Sequence, residues 1–404
     1  MTAALHRPPL EQLHDQLVGR VASGELAGAI ALVARRGEVH VDVVGRPALD
    51  ATAPLGRDAI FRMSSMTKPI VAAATLVAIE AGLFALDAPV DRWLPELANR
   101  RVLRRFDGPL DDTVPASRAI TVRDLLAFTM GTGIPLAPPG ATPIQRAIDE
   151  QALGQGLPRP QVAPPPDEWI RRLGTLPLMS QPGDQWRYHT GSDVQGVLIA
   201  RAAGVPLAQF LRDRIFEPLG MVDTGFHVPA AQRDRLVASY LTDPTGAARL
   251  YDRPDGEWSR PPAFPSGGAG LVSTIDDYFA FAEMLAGGGA RRGVRILSEA
   301  SVAAMTRDQL SPAQKAQTRW TPGTFDEIGW GFGVAVVTGR DPAGAPGAYG
   351  WDGGLGTVWR NDPQRELISI LLTQHAWRSP SAPPVCRDLW TAAQAAAYSR
   401  PSNA

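Results

Sequence analysis

Leu10, Leu13, Leu17 and Val21 recur at three- and four-residue spacing ahead of Gly24, which predicts that the chain opens with an amphipathic helix. Two β-rich runs follow, Ala29 to Ala34 and Val39 to Val44, joined around Arg36 and Gly37. That is the pattern of a hairpin starting an antiparallel sheet. From Pro69 to Leu86 the pattern becomes apolar on all sides, through Ile70-Val-Ala-Ala-Ala-Thr-Leu-Val-Ala-Ile79. A helix of this kind belongs in the centre of a protein rather than on its surface. Thr121-Val-Arg-Asp124 ahead of Leu125 and Leu126 reads as a capping box, in which the Thr side chain takes an orphan amide and the carboxylate reaches back.

Beyond that point the regularity fades. Residues 131 to 183 carry Pro135, Pro138, Pro139, Pro143, Pro158, Pro160 and the run Pro164-Pro165-Pro166. Proline cannot continue a helix or a central strand, so this stretch is expected to be a surface excursion and a candidate wall or lid of a site. Helical patterns resume from Asp193 to Gly220, and strands are predicted at Gly331 to Thr338, Gly356 to Arg360 and Leu367 to Thr373, with turn residues at Asn361-Asp362-Pro363. The order sheet, helices, sheet predicts an α/β unit made from both chain ends, residues 1–86 and 240–404, with an antiparallel sheet flanked by helices. A mainly helical lobe, residues 87–239, is expected between them.

Composition narrows the function. The 404 residues carry a formal charge of −1 with no run of like charges, which removes the electrostatic footprint of a nucleic-acid binder or a polybasic membrane anchor. A small, neutral substrate is the simpler expectation. No apolar stretch is long enough to cross a bilayer, and Met1 to Pro9 lacks the pattern of a leader, so a cytoplasmic protein is expected. Cys386 is the only cysteine, which excludes an internal disulfide, and the six histidines show no metal-ligand spacing. Neither a metal nor another cofactor is expected.

The basic residues are nearly all arginine; the only lysines are Lys68 and Lys315. Arginine does not give up its proton in a protein, whereas a buried lysine can be tuned into a base, so a chain that otherwise uses Arg retains Lys where chemistry requires it. Lys315, in the polar stretch Ser311 to Arg319, reads as a surface residue. Lys68 ends Phe61-Arg-Met-Ser-Ser-Met-Thr-Lys68, three residues after Ser65 and at the mouth of the apolar helix. On a helical turn, residues at i and i+3 are neighbours, about 5–6 Å apart at Cβ, close enough for an amine to take a hydroxyl proton. The helix N-terminus adds free amides suited to a developing negative charge. Lowering a lysine from about 10.4 to about 7 needs about 4.6 kcal/mol, within the reach of burial and neighbouring charge. Pro69 is the feature that argues against this geometry, because it disfavours helical dihedrals at Lys68.

Phe61-Arg-Met-Ser-Ser-Met-Thr-Lys-Pro-Ile70 resembles the nucleophile motif of serine β-lactamase-like and penicillin-binding-protein-like hydrolases, in particular family VIII carboxylesterases. The resemblance continues in Ile120 to Leu126, Gln181-Pro-Gly-Asp-Gln-Trp-Arg-Tyr188, Pro218 to Gly225 and Gly267-Gly-Ala-Gly-Leu-Val-Ser-Thr274, so it covers most of the chain. It implies the β-lactamase/transpeptidase-like fold and an acyl-enzyme on Ser65, with Lys68 as general base. The family's Tyr-x-Asn motif is matched by Tyr188-His189-Thr190, which implies that Tyr188 is the proton shuttle and puts Thr190 in the asparagine's place. The Lys-Thr-Gly motif is matched by Trp351-Asp352-Gly353. An indole there, instead of a cation, suits an uncharged acyl or alcohol group. By the same resemblance Trp351, Gly353 and Thr190 contact substrate, and the amides of Gly354 and Ser65 form an oxyanion hole.

A carboxylesterase acting on small uncharged esters is therefore the leading expectation. A β-lactamase or D-alanyl-D-alanine peptidase is disfavoured by the missing motif lysine, and a transesterase of the same fold stays open. An α/β-hydrolase is disfavoured by the absence of a Gly-x-Ser-x-Gly elbow. His189 and His375 read as ordinary, partly buried residues.

Overall fold

The computed structural model describes residues 5–397, apart from 136, 139, 155, 244, 319 and 322. The opening helix, α1 (Arg7–Ala22), buries Leu10, Leu13 and Leu17, the residues whose spacing predicted it. Strands β1 (Gly28–Arg35) and β2 (Glu38–Gly45) form the expected hairpin, with Arg36 and Gly37 at positive φ in its turn.

β1 does not stop at its hairpin partner. Its other edge pairs antiparallel with a strand from the far end of the chain, Leu367–Thr373, in a register that sets Leu32 opposite Ile370. The C-terminal half supplies five strands, β3 (Ile328–Trp330), β4 (Ala335–Val337), β5 (Tyr349–Gly353), β6 (Thr357–Asp362) and β7 (Leu367–Thr373). The sheet order is β3-β4-β5-β6-β7-β1-β2, and every pairing in it is antiparallel. Both chain ends thus build one sheet.

The two-residue period of the strands sorts the core into two layers. Ala29, Ala31 and Val33 of β1 face a cluster with Leu13 and Leu17 of α1 and with Leu389 and Trp390 of the closing helix Pro384–Ala397. Ile30 and Leu32 face the larger cluster, which holds the central helix α2 (Thr67–Glu80) and Tyr278 and Phe281 of the helix Ile275–Ala286. Every residue of α2 from Thr67 to Ala78 is buried, as its apolar pattern on all sides requires. Among the described residues no single helix is long and apolar enough to cross a membrane.

Three local expectations need correction. The predicted strand Gly331–Thr338 is in fact the tip of a hairpin, β3 and β4, because the turn presses on α2: Gly333 has φ +72°, and a Cβ there would lie 2.6 Å from the Cβ of Ala72. The Pro-rich excursion contains two helices, Pro143–Glu150 and Pro166–Thr175. Each starts on a proline, at the position where the missing N–H costs nothing, and the first is capped by Thr142. Pro69 likewise falls in the first turn of α2, so Lys68 stays helical. The capping box at Thr121 and Asp124 is formed as read.

Candidate active site

Ser65 sits in a single 3-10 turn, Ser64–Met66, that runs straight into α2. Ser64, at φ +46°, turns the chain from the short strand Phe61–Arg62 into that helix. Ser65 is part-exposed and Lys68 is fully buried one turn on. Lys68 Nζ and Ser65 Oγ are hydrogen-bonded at 2.9 Å. The turn is held from behind, because Tyr278 Oη donates to the Met66 carbonyl and the Leu271 amide donates to Thr67 Oγ1.

Burial pushes the Lys68 amine down from its ordinary range to about 7, against the opposing pull of the Asp193 carboxylate. The reason is physical: the amine sits in a dry interior where its charged form loses hydration. Its remaining contacts are the Gly268 carbonyl at 2.5 Å, His189 Nδ1 at 3.2 Å and the face of the Tyr188 ring, whose centroid is 4.6 Å away.

Tyr188 stands in a cage of aromatic rings made by Phe128, Trp186, Trp320, Trp330 and Trp351, all with centroids within 6.3 Å of its own. Burial raises its phenol above the ordinary value, against hydrogen bonds with Ser65 and Trp351 that act the other way. Tyr188 is therefore a neutral phenol at physiological pH. The Trp351 indole N–H donates to Tyr188 Oη at 2.7 Å, a contact that sequence reading did not foresee. It occupies an acceptor site of the oxygen and leaves the phenol hydrogen for Ser65.

Trp351 and Gly354 come from the end of β5 and the turn after it. Arg360 on β6 donates to both carboxylate oxygens of Asp352, at 2.6 and 2.8 Å, which neutralises the acid next to Trp351. β5 passes so close to the segment before Ser65 that a Cβ on Gly353 would lie 2.3 Å from the Met63 carbonyl. That close approach sets Gly354 beside the serine. Ser65, Tyr188, Trp351 and Gly354 line one cavity of about 560 Å³, together with Trp320, Val337, Trp377 and, from the Pro-rich excursion, Leu157. Gly353 and Thr190 do not line it: Gly353 is turned against Met63, and Thr190 is buried in the first turn of α3 (Thr190–Ala203).

The residue that sequence reading passed over is His189. It is buried, it contacts Lys68, and its Nε2 lies 3.2 Å from Asp193 Oδ2. No periodicity marks it, and its lysine partner is 121 positions away in the chain. Lys315, by contrast, lies away from this cavity in an ion pair with Asp308.

The chain is similar to known proteins over most of its length. The family model described as Beta-lactamase matches residues 12–396. Protein Rv1367c of Mycobacterium tuberculosis is 39% identical over 391 residues, covering 95% of this chain and 92% of that protein. Esterase EstB of Burkholderia gladioli is 34% identical over 379 residues, covering 89% of this chain and 88% of that protein. Among solved structures, EstCE1, described as a hydrolase with promiscuous acyltransferase activity, superposes with a TM-score of 0.75 at 26% identity, covering 96% of this chain and 99% of its own.

Proposed function

The chain belongs to the Beta-lactamase family, and from that premise we propose that it is a serine esterase that works through an acyl-enzyme on Ser65. The observation that carries the reading is the fully buried Lys68 amine, 2.9 Å from Ser65 Oγ and pushed down to about 7. Such an amine is neutral in half the molecules near pH 7, and a base matched to the working pH is the efficient one. Similarity to Esterase EstB supports the same reaction class.

In the proposed first step the Ser65 hydroxyl proton passes to the Lys68 lone pair while Oγ attacks the ester carbonyl carbon. The carbonyl π electrons move onto its oxygen. The amides of Ser65 and Gly354 receive that oxyanion: the first stands at a helix start, and neither makes a backbone hydrogen bond among the described residues. Collapse expels the alkoxide, which takes a proton relayed from the Lys68 ammonium through Tyr188. Water then enters the same position and gives a proton to Lys68 while its oxygen attacks the acyl carbon. As the bond from that carbon to Ser65 Oγ breaks, the Lys68 ammonium returns the proton to Oγ and the acid leaves. Because its phenol is held neutral, Tyr188 acts as a proton-donating relay, not as a phenolate base.

Trp351 and the aromatic lining favour an apolar acyl or alcohol group, and Arg360, on the strand beside Trp351, is taken up in an ion pair with Asp352. Acyl transfer to an alcohol in place of water is a second reaction open to the same acyl-enzyme; the activity described for EstCE1 favours it. The test is hydrolysis of p-nitrophenyl butyrate and of the chromogenic cephalosporin nitrocefin by wild type and Ser65→Ala. The reading requires ester cleavage that disappears in the variant and little nitrocefin turnover. Ester cleavage that persists in Ser65→Ala would refute it.

A further inference from the structure

His189 has φ +88° and ψ −68°, and the Thr190 amide donates to the Tyr188 carbonyl across it at 3.3 Å. This is a tight γ-turn of the rare, strained hand. Strain of this kind persists only where the surroundings over-determine it, and it concentrates at functional sites. Its effect is to bring two consecutive side chains, Tyr188 and His189, onto the same amine: Lys68 Nζ lies 4.6 Å from the Tyr188 ring centroid and 3.2 Å from His189 Nδ1.

On its far side the imidazole meets Asp193, one turn into α3, with Nε2 to Oδ2 at 3.2 Å. Asp193 is itself held, because Ser266 Oγ donates to Oδ1 at 2.6 Å and the Gly268 amide donates to it at 2.9 Å. Burial alone would raise this carboxyl, but its hydrogen bonds with His189, Ser266 and Gly268 and the nearby imidazole outweigh burial and hold it below its ordinary value. Burial, together with the Lys68 charge, lowers the imidazole, so the ring is neutral. The groups facing His189 are Lys68 from α2, Tyr188 from its own turn and Asp193 from α3; Ser266, from the loop before Gly268, bonds Asp193 and not the ring. Behind the pair lies a small cavity lined by Trp169, Phe264 and Arg159.

We propose that Asp193 and His189 form a positioning device that fixes the imidazole tautomer and thereby aims the Lys68 lone pair at Ser65. The argument is a count of hydrogens and rests on the Ser65 reading above. A neutral amine has two hydrogens and one lone pair. The Gly268 carbonyl can only accept, so it takes one hydrogen. The Asp193 carboxylate can only accept, so it keeps the imidazole proton on Nε2 and leaves Nδ1 bare. Bare Nδ1 takes the second amine hydrogen. The lone pair is then left for the third neighbour, the Ser65 O–H at 2.9 Å. With the other tautomer, Nδ1–H would claim the lone pair and Ser65 would lose its base. The same carboxylate, one ring removed, favours the ammonium that forms when the serine proton arrives.

The test uses the full chain and p-nitrophenyl butyrate, with the folded fraction of each variant established by thermal unfolding. Asp193→Asn offers Nε2 an amide hydrogen and so favours the wrong tautomer. Its acylation rate is expected to fall about a thousandfold, with KM within about threefold. The acid limb of its pH profile moves to lower pH, because the carboxylate that favours protonated Lys68 is gone. His189→Asn, whose carbonyl oxygen accepts the second amine hydrogen, is expected to retain activity within about tenfold, whereas His189→Leu falls as far as Asp193→Asn. Ser266→Ala loosens the same loop without touching the imidazole and keeps the wild-type limb. The proposal is overturned if Asp193→Asn leaves rate and limb unchanged. It is overturned equally if Ser266→Ala matches Asp193→Asn, which would make the carboxylate a loop anchor. Intact-mass detection of the acyl group on wild-type Ser65 separates this outcome from failure of the acyl-enzyme itself, since the acyl-enzyme does not depend on which group aims the lysine.

Discussion

The two lysines of this chain occupy opposite surroundings. Lys315 lies near the surface, 20% exposed, in direct contact with the carboxylate of Asp308. Lys68 is fully buried, and the nearest carboxylate bonded into its surroundings, Asp193, is separated from it by the width of an imidazole. A carboxylate in contact with an amine favours the charged form and makes an ion pair; a carboxylate one ring away leaves the amine free to lose its proton in a dry pocket. The residue type is the same, and the environment decides whether it pairs or reacts.

The sharpest way to break this comparison is to make one substitution at both positions. Lys68→Arg keeps the charge but removes the titratable base, and ester hydrolysis is expected to fall by about a thousandfold or more. A rate within tenfold of wild type would end the lysine's assigned role. Tyr188→Phe, assayed on the same ester, is expected to fall about a hundredfold through loss of the proton relay. Retention of more than a tenth of the activity would remove the relay from the mechanism. Trp351→Phe keeps an aromatic wall but deletes the N–H that holds Tyr188 Oη; a loss of about tenfold in kcat with little change in KM is expected. Lys315→Arg is expected to change kcat/KM by less than about twofold, because its ion pair lies outside the cavity.

The same comparison has a stability side. Unfolded, Lys68 holds its proton to about pH 10.4; folded, it loses it at about 7. Between those values the unfolded chain binds more protons, so the Lys68 contribution to stability rises with pH across that window. Below the folded value both states are protonated, and the full penalty, on the order of several kcal/mol, is present. Lys68→Met, similar in volume and uncharged, is therefore expected to raise Tm at pH 7 while abolishing activity. A lower Tm would mean that the buried amine is better satisfied than its contacts indicate.

How much of this was legible beforehand depended on whether the signal was local. The all-apolar run of α2 and the Ser65–Lys68 spacing are properties of consecutive residues. The pair meets as read, and the helix forms at the start of the run but ends at Glu80, ahead of a turn with Gly82 at positive φ, short of the Leu86 to which the pattern was read. The hairpin of β1 and β2 and the strand β7 carry alternating or continuous β-rich runs and were equally plain. The hairpin turn at Gly333 was misread because its cause is contact with Ala72, far away in the chain. The helices opened by Pro143 and Pro166 were missed because proline was read as a breaker, when in the first turn it is an initiator. His189 and the indole N–H of Trp351 were invisible for the same reason as Gly333: their partners, Lys68 and Tyr188, meet them only once the chain has folded.

The central claim, that a neutral Lys68 activates Ser65, is tested most directly by the pH dependence of kcat/KM for p-nitrophenyl butyrate. The account predicts a rate that falls tenfold per pH unit on the acid side, with its bend near 7, where Lys68 takes up a proton. A rate that stays level from about pH 5 to pH 8 would contradict it, because an amine protonated across that range could not serve as the base.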